Sequence, residues 1–255
     1  MCGRYTLSQT QSMADYFQLD EPEMAADLPP RFNIAPSQPV PVVFQDSGKR
    51  QLLVMRWGLI PQWMKPLDGN KPPAGWINAR SETADTKPAF RGAYKYRRCL
   101  IPADGFYEWP RDSAGKKTGG KQPHLIRRAD DGLFAFAGLF EWWCPPDGSE
   151  LPTCTILTTK ANQTLAPIHD RMPVILEPED HTPWLTSAPA PGSDHTPEIS
   201  KRANQADFLF PPSGGGGEGR LYTTPVSTRV NQTQHDDPSC MAPAPRHHSQ
   251  PGLFE

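Results

Sequence analysis

Long apolar runs are missing from this 255-residue sequence. Nothing approaches the ~18 consecutive apolar residues that a membrane-spanning helix needs, and the first residues lack a charged stretch followed by an apolar one. A soluble, unsecreted protein with no membrane partner is expected. Paired cysteines are lacking as well: Cys2, Cys99, Cys144, Cys154 and Cys240 form an odd set without a CxxC spacing. That argues against a disulfide framework or a structural zinc site and fits reduced thiols in a cytoplasm. No HxxxH pair or Cys and His cluster occurs, and the glycine run 214–217 has no lysine and hydroxyl residue to make a phosphate loop. Neither a metal nor a cofactor is expected. Charge of one sign is also lacking, with a formal net charge of −2 that residues 232–255 account for by themselves. A polyanion site must therefore be local.

Proline and glycine are plentiful, at 31 and 20 residues. Helices must be few or short, and strands, turns and extended connections must dominate. The length and the 36% hydrophobic content suit one large domain. Short helices are expected over residues 8–19 with Ser8 as cap, 81–96, 161–168 and 177–185. Strands 41–44 and 51–57 flank a turn at 45–48 and read as a hairpin. Further strands fall at 99–101, 106–109, 124–127, 133–141 and 154–158, with a last one within 221–230. Residues 115–120 read as a hairpin tip, 186–217 as a loop-rich insertion and 232–255 as a disordered tail. The class is α+β, a single domain on a bent, barrel-like mixed sheet.

Five constellations carry chemistry. Loss of Met1 would leave Cys2 as a 1,2-aminothiol, whose amine, with a pKa of roughly 8, forms a Schiff base with an aldehyde while the thiol closes a thiazolidine ring. Glu108 lies among Phe106, Tyr107 and Trp109, where an apolar setting raises a carboxyl pKa toward that of a proton shuttle. In Pro167-Ile168-His169-Asp170-Arg171-Met172-Pro173, histidine can pass a proton and Arg171 can hold a phosphate. Strand alternation over Asn78-Ala79-Arg80-Ser81-Glu82 directs Asn78, Arg80 and Glu82 to one side. Residues 87–98 hold Lys87, Arg91, Lys95, Arg97 and Arg98 without an acid, interleaved with Phe90, Tyr94 and Tyr96, a mixture suited to single-stranded nucleic acid. Each has a bland alternative: an incidental cysteine, a solvated carboxylate, a structural turn, a Ser81 cap on the next helix, a solvated basic face.

Met1-Cys2-Gly3-Arg4-Tyr5, Arg31-Phe32-Asn33-Ile34-Ala35-Pro36, Arg56-Trp57-Gly58-Leu59-Ile60-Pro61, Asn78-Ala79-Arg80-Ser81-Glu82, Arg98-Cys99-Leu100-Ile101-Pro102, Gly105-Phe106-Tyr107-Glu108-Trp109 and His169-Asp170-Arg171-Met172-Pro173 together resemble the SOS response-associated peptidase family of abasic-site processing proteins. Val226-Ser227 followed by Val230-Asn231 looks like its closing motif, so the resemblance spans about residues 2–231. It implies a protein that binds single-stranded DNA and forms a thiazolidine adduct with abasic sites. Cys2 would be the nucleophile, Asn78 would orient the ring, Glu108 would move protons and His169 would assist sugar opening and adduct reversal. Arg4, Arg80 and Arg171 would hold phosphates, with Arg91 and Arg98 as further DNA contacts and Trp63, Trp76 and Trp109 as a stacking platform. A monomer, nucleoid-associated when bound to DNA, is expected. Two rivals remain: an N-terminal nucleophile amidohydrolase, whose usual Asn-Gly or Gly-Asp segment is missing from the sequence, and a non-catalytic single-stranded DNA-binding module.

Overall fold

Alternating apolar residues on either side of Ser47-Gly48 set the longest hairpin. Both turn residues have positive φ, 49° and 83°, the mirror-image turn whose twist matches that of the strands and which glycine enters without strain. Pairing begins at Asp46↔Lys49, so the turn has two residues and the strands outrun the expected 41–44 and 51–57. The computed structural model describes residues 2–110, 122–186 and 221–245. In chain order the elements are β1 (Tyr5–Leu7), α1 (Met13–Phe17), α2 (Glu23–Ala26), β2 (Arg31–Ile34), β3 (Pro39–Asp46), β4 (Lys49–Trp57), β5 (Asn78–Arg80), α3 (Arg91–Tyr96) and β6 (Arg98–Ala103). There follow β7 (Gly105–Glu108), β8 (His124–Arg128), β9 (Phe134–Trp143), β10 (Leu151–Lys160), β11 (Arg171–Pro173), β12 (Ile175–Leu176), α4 (Pro178–Thr186) and β13 (Leu221–Pro225).

The strands make two sheets. One is ordered β13-β8-β7-β1-β2; the other runs β11-β10-β4-β3-β6-β9-β12, and an extra β10–β9 pairing joins its strands into a ring. The ring β10-β4-β3-β6-β9 is the barrel-like core of the expected α+β fold. It closes through the parallel pair Thr153↔Arg56 and Cys154↔Trp57 on one side and the antiparallel pair from Leu151↔Trp143 to Ile156↔Gly138 on the other. Tyr5 packs edge-on against Trp57 and Phe136, with ring centroids 5.3 and 5.7 Å apart, and all three side chains are fully buried. Each contributes roughly 1.5–3 kcal/mol by burial. The Tyr5 contact ties the five-stranded sheet onto the ring and so fixes residues 2–4 against it.

Local expectations meet several corrections. The helix expected over 81–96 is confined to α3, preceded by a 3-10 turn at Ser81–Thr83, because Pro88 cannot donate and disfavours helical geometry at Lys87. Ser8 caps nothing; its N–H and hydroxyl both donate to Asp104 Oδ2 at 2.6 Å, and α1 begins five residues later. Residues 161–168 form hydrogen-bonded turns rather than a helix, with Asn162 Oδ1 accepting from Leu165 N at 3.0 Å in competition with helical bonding. Of the last expected strand, only Leu221–Pro225 is one, followed by a 3-10 turn at Thr228–Asn231. Residues 232–245 are not a disordered tail: a 3-10 turn at Pro238–Met241 buries Cys240, and Val226 bridges Pro243. The hairpin tip at 115–120, the insertion from 187 and the tail from 246 lie outside the described residues. No helix among the described residues is long and apolar enough to cross a membrane.

Candidate active site and nucleic-acid groove

Residue 2 is positioned by strand pairing. β1 runs antiparallel to β7 with Tyr5↔Phe106 and Thr6↔Gly105, and Tyr107 N donates to Arg4 O at 2.9 Å. Continuing that register sets Gly3 opposite Glu108 and Cys2 at the end of β7. Cys2 is fully buried, with its thiol 3.9 Å from Arg4 O. Burial pushes that thiol far above its ordinary range, and the charge of neighbouring Glu108 adds to the rise, so sulfur rests as the thiol rather than the thiolate.

Asn78 opens β5, which lies parallel to β10 with Ile156↔Asn78 in register. Its Nδ2 donates to Cys2 O at 2.8 Å. Its Oδ1 is buried and has no hydrogen-bond partner among the described residues, which leaves one acceptor available beside residue 2. Glu108 is 3% exposed, so the structure brings a carboxyl, an amide and the Cys2 thiol together.

His169 is 5% exposed and heads β11, which pairs with β10 through Thr158↔Pro173 while β5 pairs through Thr158↔Arg80. The strand β10 thus carries Asn78 on one flank and the His169 turn on the other. The Arg171 main-chain N–H donates to His169 Nδ1 at 2.9 Å. Asp170 Oδ1 lies 2.9 Å from the same nitrogen, but one nitrogen cannot accept from the backbone and donate to Asp170 at once. The backbone donor is fixed whereas the Asp170 side chain is 80% exposed, so Nδ1 is the acceptor and the imidazole proton sits on Nε2.

The arginines separate by environment. Arg80 and Arg91 are exposed. Arg98 is not a surface cation: it is 6% exposed, its Nε donates to Tyr94 O at 2.7 Å, and its guanidinium sits 4.8 Å from the ring centres of both Tyr94 and Trp184. Every residue of β6 is buried, so Arg98 lies inside, where two aromatic faces replace water, in place of the DNA contact expected from sequence. Arg171 is held internally, donating to both Glu82 oxygens and to Thr158 O. Burial is the largest influence and would raise the Glu82 carboxyl, yet the Arg171 hydrogen bonds, a hydrogen bond from its own backbone and the charges of Arg171 and Arg80 together outweigh it, and the net shift is downward. Arg171 is thus committed to a carboxylate, in place of the phosphate expected from sequence. Arg4 donates to Asn33 Oδ1 at 2.9 Å and Val230 O at 2.7 Å, which ties the first strand to the last segment.

A groove of about 540 Å³ opens beside Asn78, lined by Trp63, Trp76, Arg80, Lys87 and Phe90 among others. Trp76 is held by a two-way backbone bridge to Leu59 at 3.0 Å each way. The approach needs Gly75, where a Cβ would come within 2.0 Å of Gly58 O. Trp63 and Trp76 have ring centroids 6.5 Å apart, and Trp76 and Phe90 5.9 Å; Trp63 is 62% exposed. Exposed rings beside cations suit unpaired bases and their phosphates. Trp109 does not line this groove: its Nε1 donates to Asn231 Oδ1 at 2.7 Å and it packs on a second apolar cluster with Tyr107 and Val230. Thr83 and Pro88, which sequence reasoning passed over, line the groove because the segment before α3 is a turn rather than a helix.

Comparison with known proteins follows the same outline. Residues 1–233 match the family model described as SOS response associated peptidase (SRAP). Abasic site processing protein YoqW of Bacillus subtilis is 45% identical over 186 residues, covering 72% of this chain and 80% of that protein. Abasic site processing protein HMCES of Gallus gallus is 34% identical over 243 residues, covering 84% and 66%. A crystal structure of a Bacteroides thetaiotaomicron protein superposes with a TM-score of 0.74 at 23% identity, covering 95% of this chain and all of that one. At that identity the likeness speaks to fold. A Bordetella bronchiseptica structure reaches 0.65 at 26% identity, covering 89% of this chain and 100% of that one.

Proposed function

Because the chain belongs to the SOS response associated peptidase family, we propose that it processes abasic sites by binding single-stranded DNA and joining the lesion to Cys2. The relatives named above are abasic site processing proteins. One observation carries the chemistry: residue 2 is buried against Asn78, with a 2.8 Å hydrogen bond to its carbonyl, in reach of the Glu108 charge.

Loss of Met1, by self-cleavage or by an aminopeptidase, frees the Cys2 amine. The ring-opened deoxyribose presents an aldehyde. The amine adds to its carbon, the carbinolamine loses water to give an imine, and Sγ then adds to the imine carbon to close a thiazolidine. One water leaves overall. Glu108 protonates the departing hydroxyl and then takes the thiol proton, which the raised thiol pKa would otherwise retain. Asn78 holds the Cys2 carbonyl and offers Oδ1 to the amine or a sugar hydroxyl. His169 donates a hydrogen bond from Nε2–H to the sugar oxygen and so orients it for ring opening and for reversal. Arg80, Lys87 and Arg91 meet phosphates, while Trp63, Trp76 and Phe90 stack on bases. Arg4 and Arg171 act on the scaffold of the DNA-free protein. The protein works as a monomer in the cytoplasm, on the nucleoid when bound.

The deciding experiment incubates purified protein with single-stranded DNA bearing an abasic site. A species that survives denaturation and carries the added mass of the DNA is expected, and Cys2→Ala abolishes it. Persistence of the adduct in that variant, or retention of Met1 in active protein, overturns the mechanism.

A further inference from the structure

A second cavity, of about 630 Å³, lies away from the groove, lined by Phe44, Tyr96, Phe140, Trp142, Glu21 and Asp46 among others. Phe44 and Phe140 form a tilted ring pair 5.3 Å apart, and Tyr96 is 49% exposed. None of these residues has a part in the chemistry above. The two cavities are connected by one element. Lys87 lines the groove, Tyr96 lines the second cavity, and α3 with its leading turn runs between them.

The charge along that connection is of one sign. Lys87, Arg91 and Lys95 are exposed and recur every fourth residue; Arg91 N bonds Lys87 O at 2.8 Å, so helical spacing already holds at the first step. Such residues share one face and rise about 6 Å per step, comparable with successive phosphates of an extended single strand. The row ends where Lys95 Nζ sits over the Tyr96 ring, 5.2 Å from its centre, so that a cation for a phosphate meets a half-exposed aromatic ring at the edge of the cavity. At the cavity itself Arg97 is already paired with Glu141 at 2.6 Å. The remaining lining charges, Glu21 and Asp46, repel phosphate and accept from the amino groups of bases. Backbone on α3 and base in the cavity is the arrangement that satisfies both.

We infer that the second cavity is a base-binding site for an unpaired nucleotide flanking the lesion, reached by the same strand along Lys87, Arg91 and Lys95. The inference rests on the single-stranded DNA reading above. It extends the footprint of the protein beyond the groove.

Affinity is measured by fluorescence anisotropy with the Cys2→Ala protein on deoxycytidine oligomers of 5 and 15 nucleotides, each with one central abasic site. The 15-mer is expected to bind about tenfold tighter, with a steeper salt dependence, as one stacked base and one further phosphate would give. Tyr96→Ala and, separately, Lys95→Glu in that background remove most of the gain while leaving 5-mer affinity unchanged, and in the Cys2 protein leave the 5-mer crosslinking rate unchanged. Equal affinity for the two lengths overturns the inference, as does a length gain that survives both substitutions. Failure of every oligomer to bind or crosslink would instead strike the reading beneath it.

Discussion

Asn33 uses both ends of its amide. It is fully buried; Nδ2 donates to the carbonyls of Val230, Gln232 and His235 at 3.2, 3.0 and 2.6 Å, while Oδ1 accepts from Arg4. Asn33→Leu would keep the volume and strand those carbonyls with the guanidinium, so a loss of about 2–4 kcal/mol is expected in urea unfolding. Unchanged stability would mean that water takes over the contacts. Glu108→Gln asks a sharper question of the site. It keeps the shape and removes the base, so adduct formation slows by roughly 10²–10⁴-fold while affinity for single-stranded DNA holds; an equal fall in both would make Glu108 structural. The candidates Cys2, Asn78, Glu108 and His169 stand out in the sequence by the motifs they occupy, and the fold buries Cys2, Glu108 and His169. The place of Arg98 is not legible there, since only folding reveals that Tyr94 and Trp184 enclose it. Asn33 stands in a motif, but its partners lie about two hundred residues away, and no spacing rule reaches that far.

Strands are legible where an apolar run is continuous, as in β3 and β9, or alternates, as in β4; helices mislead because proline and side-chain hydrogen bonds cut them short. The helix α4 is the best anticipated, and it carries a pH-sensitive element that sequence does not reveal. His181 is 1% exposed and stacks on Phe17 with ring centroids 5.5 Å apart and an interplanar angle of 13°. Burial, helped by Arg50, lowers its pKa to about 4. The unfolded chain takes this proton near 6.5, so it binds more protons than the native state between those values. Stability from the neutral imidazole is therefore full above pH 6.5 and is lost as pH falls toward 4, on the order of 3 kcal/mol in all. His181→Phe is expected to flatten melting temperature against pH in that window; parallel curves for variant and parent would assign the acid sensitivity elsewhere.

At the scale of the molecule, the ring of strands is a closed core and the last described segment is its strap. Asp236 accepts from Phe32 N at 2.5 Å, Asn33 N at 2.8 Å and the Arg31 side chain, and Arg229 pairs with Asp237 at 2.7 Å. Composition hides this, because the order comes from polar contacts to the backbone rather than from a repeating apolar pattern. Ending the chain at residue 232 is expected to cost at least about 3 kcal/mol, read as a lowered urea midpoint; an unmoved midpoint would make the strap decorative. The Arg4 hydrogen bond to Val230 O joins residues 226 apart in sequence, and it has a consequence for biosynthesis. Translation at about 5–20 residues per second leaves Arg4 outside the ribosome without its Val230 partner for roughly 10–50 seconds. An aminopeptidase has that interval to act on the terminus before the last segment closes on Arg4. On the reading proposed above, removal of Met1 by a separate enzyme thus competes with the closing of the fold during synthesis.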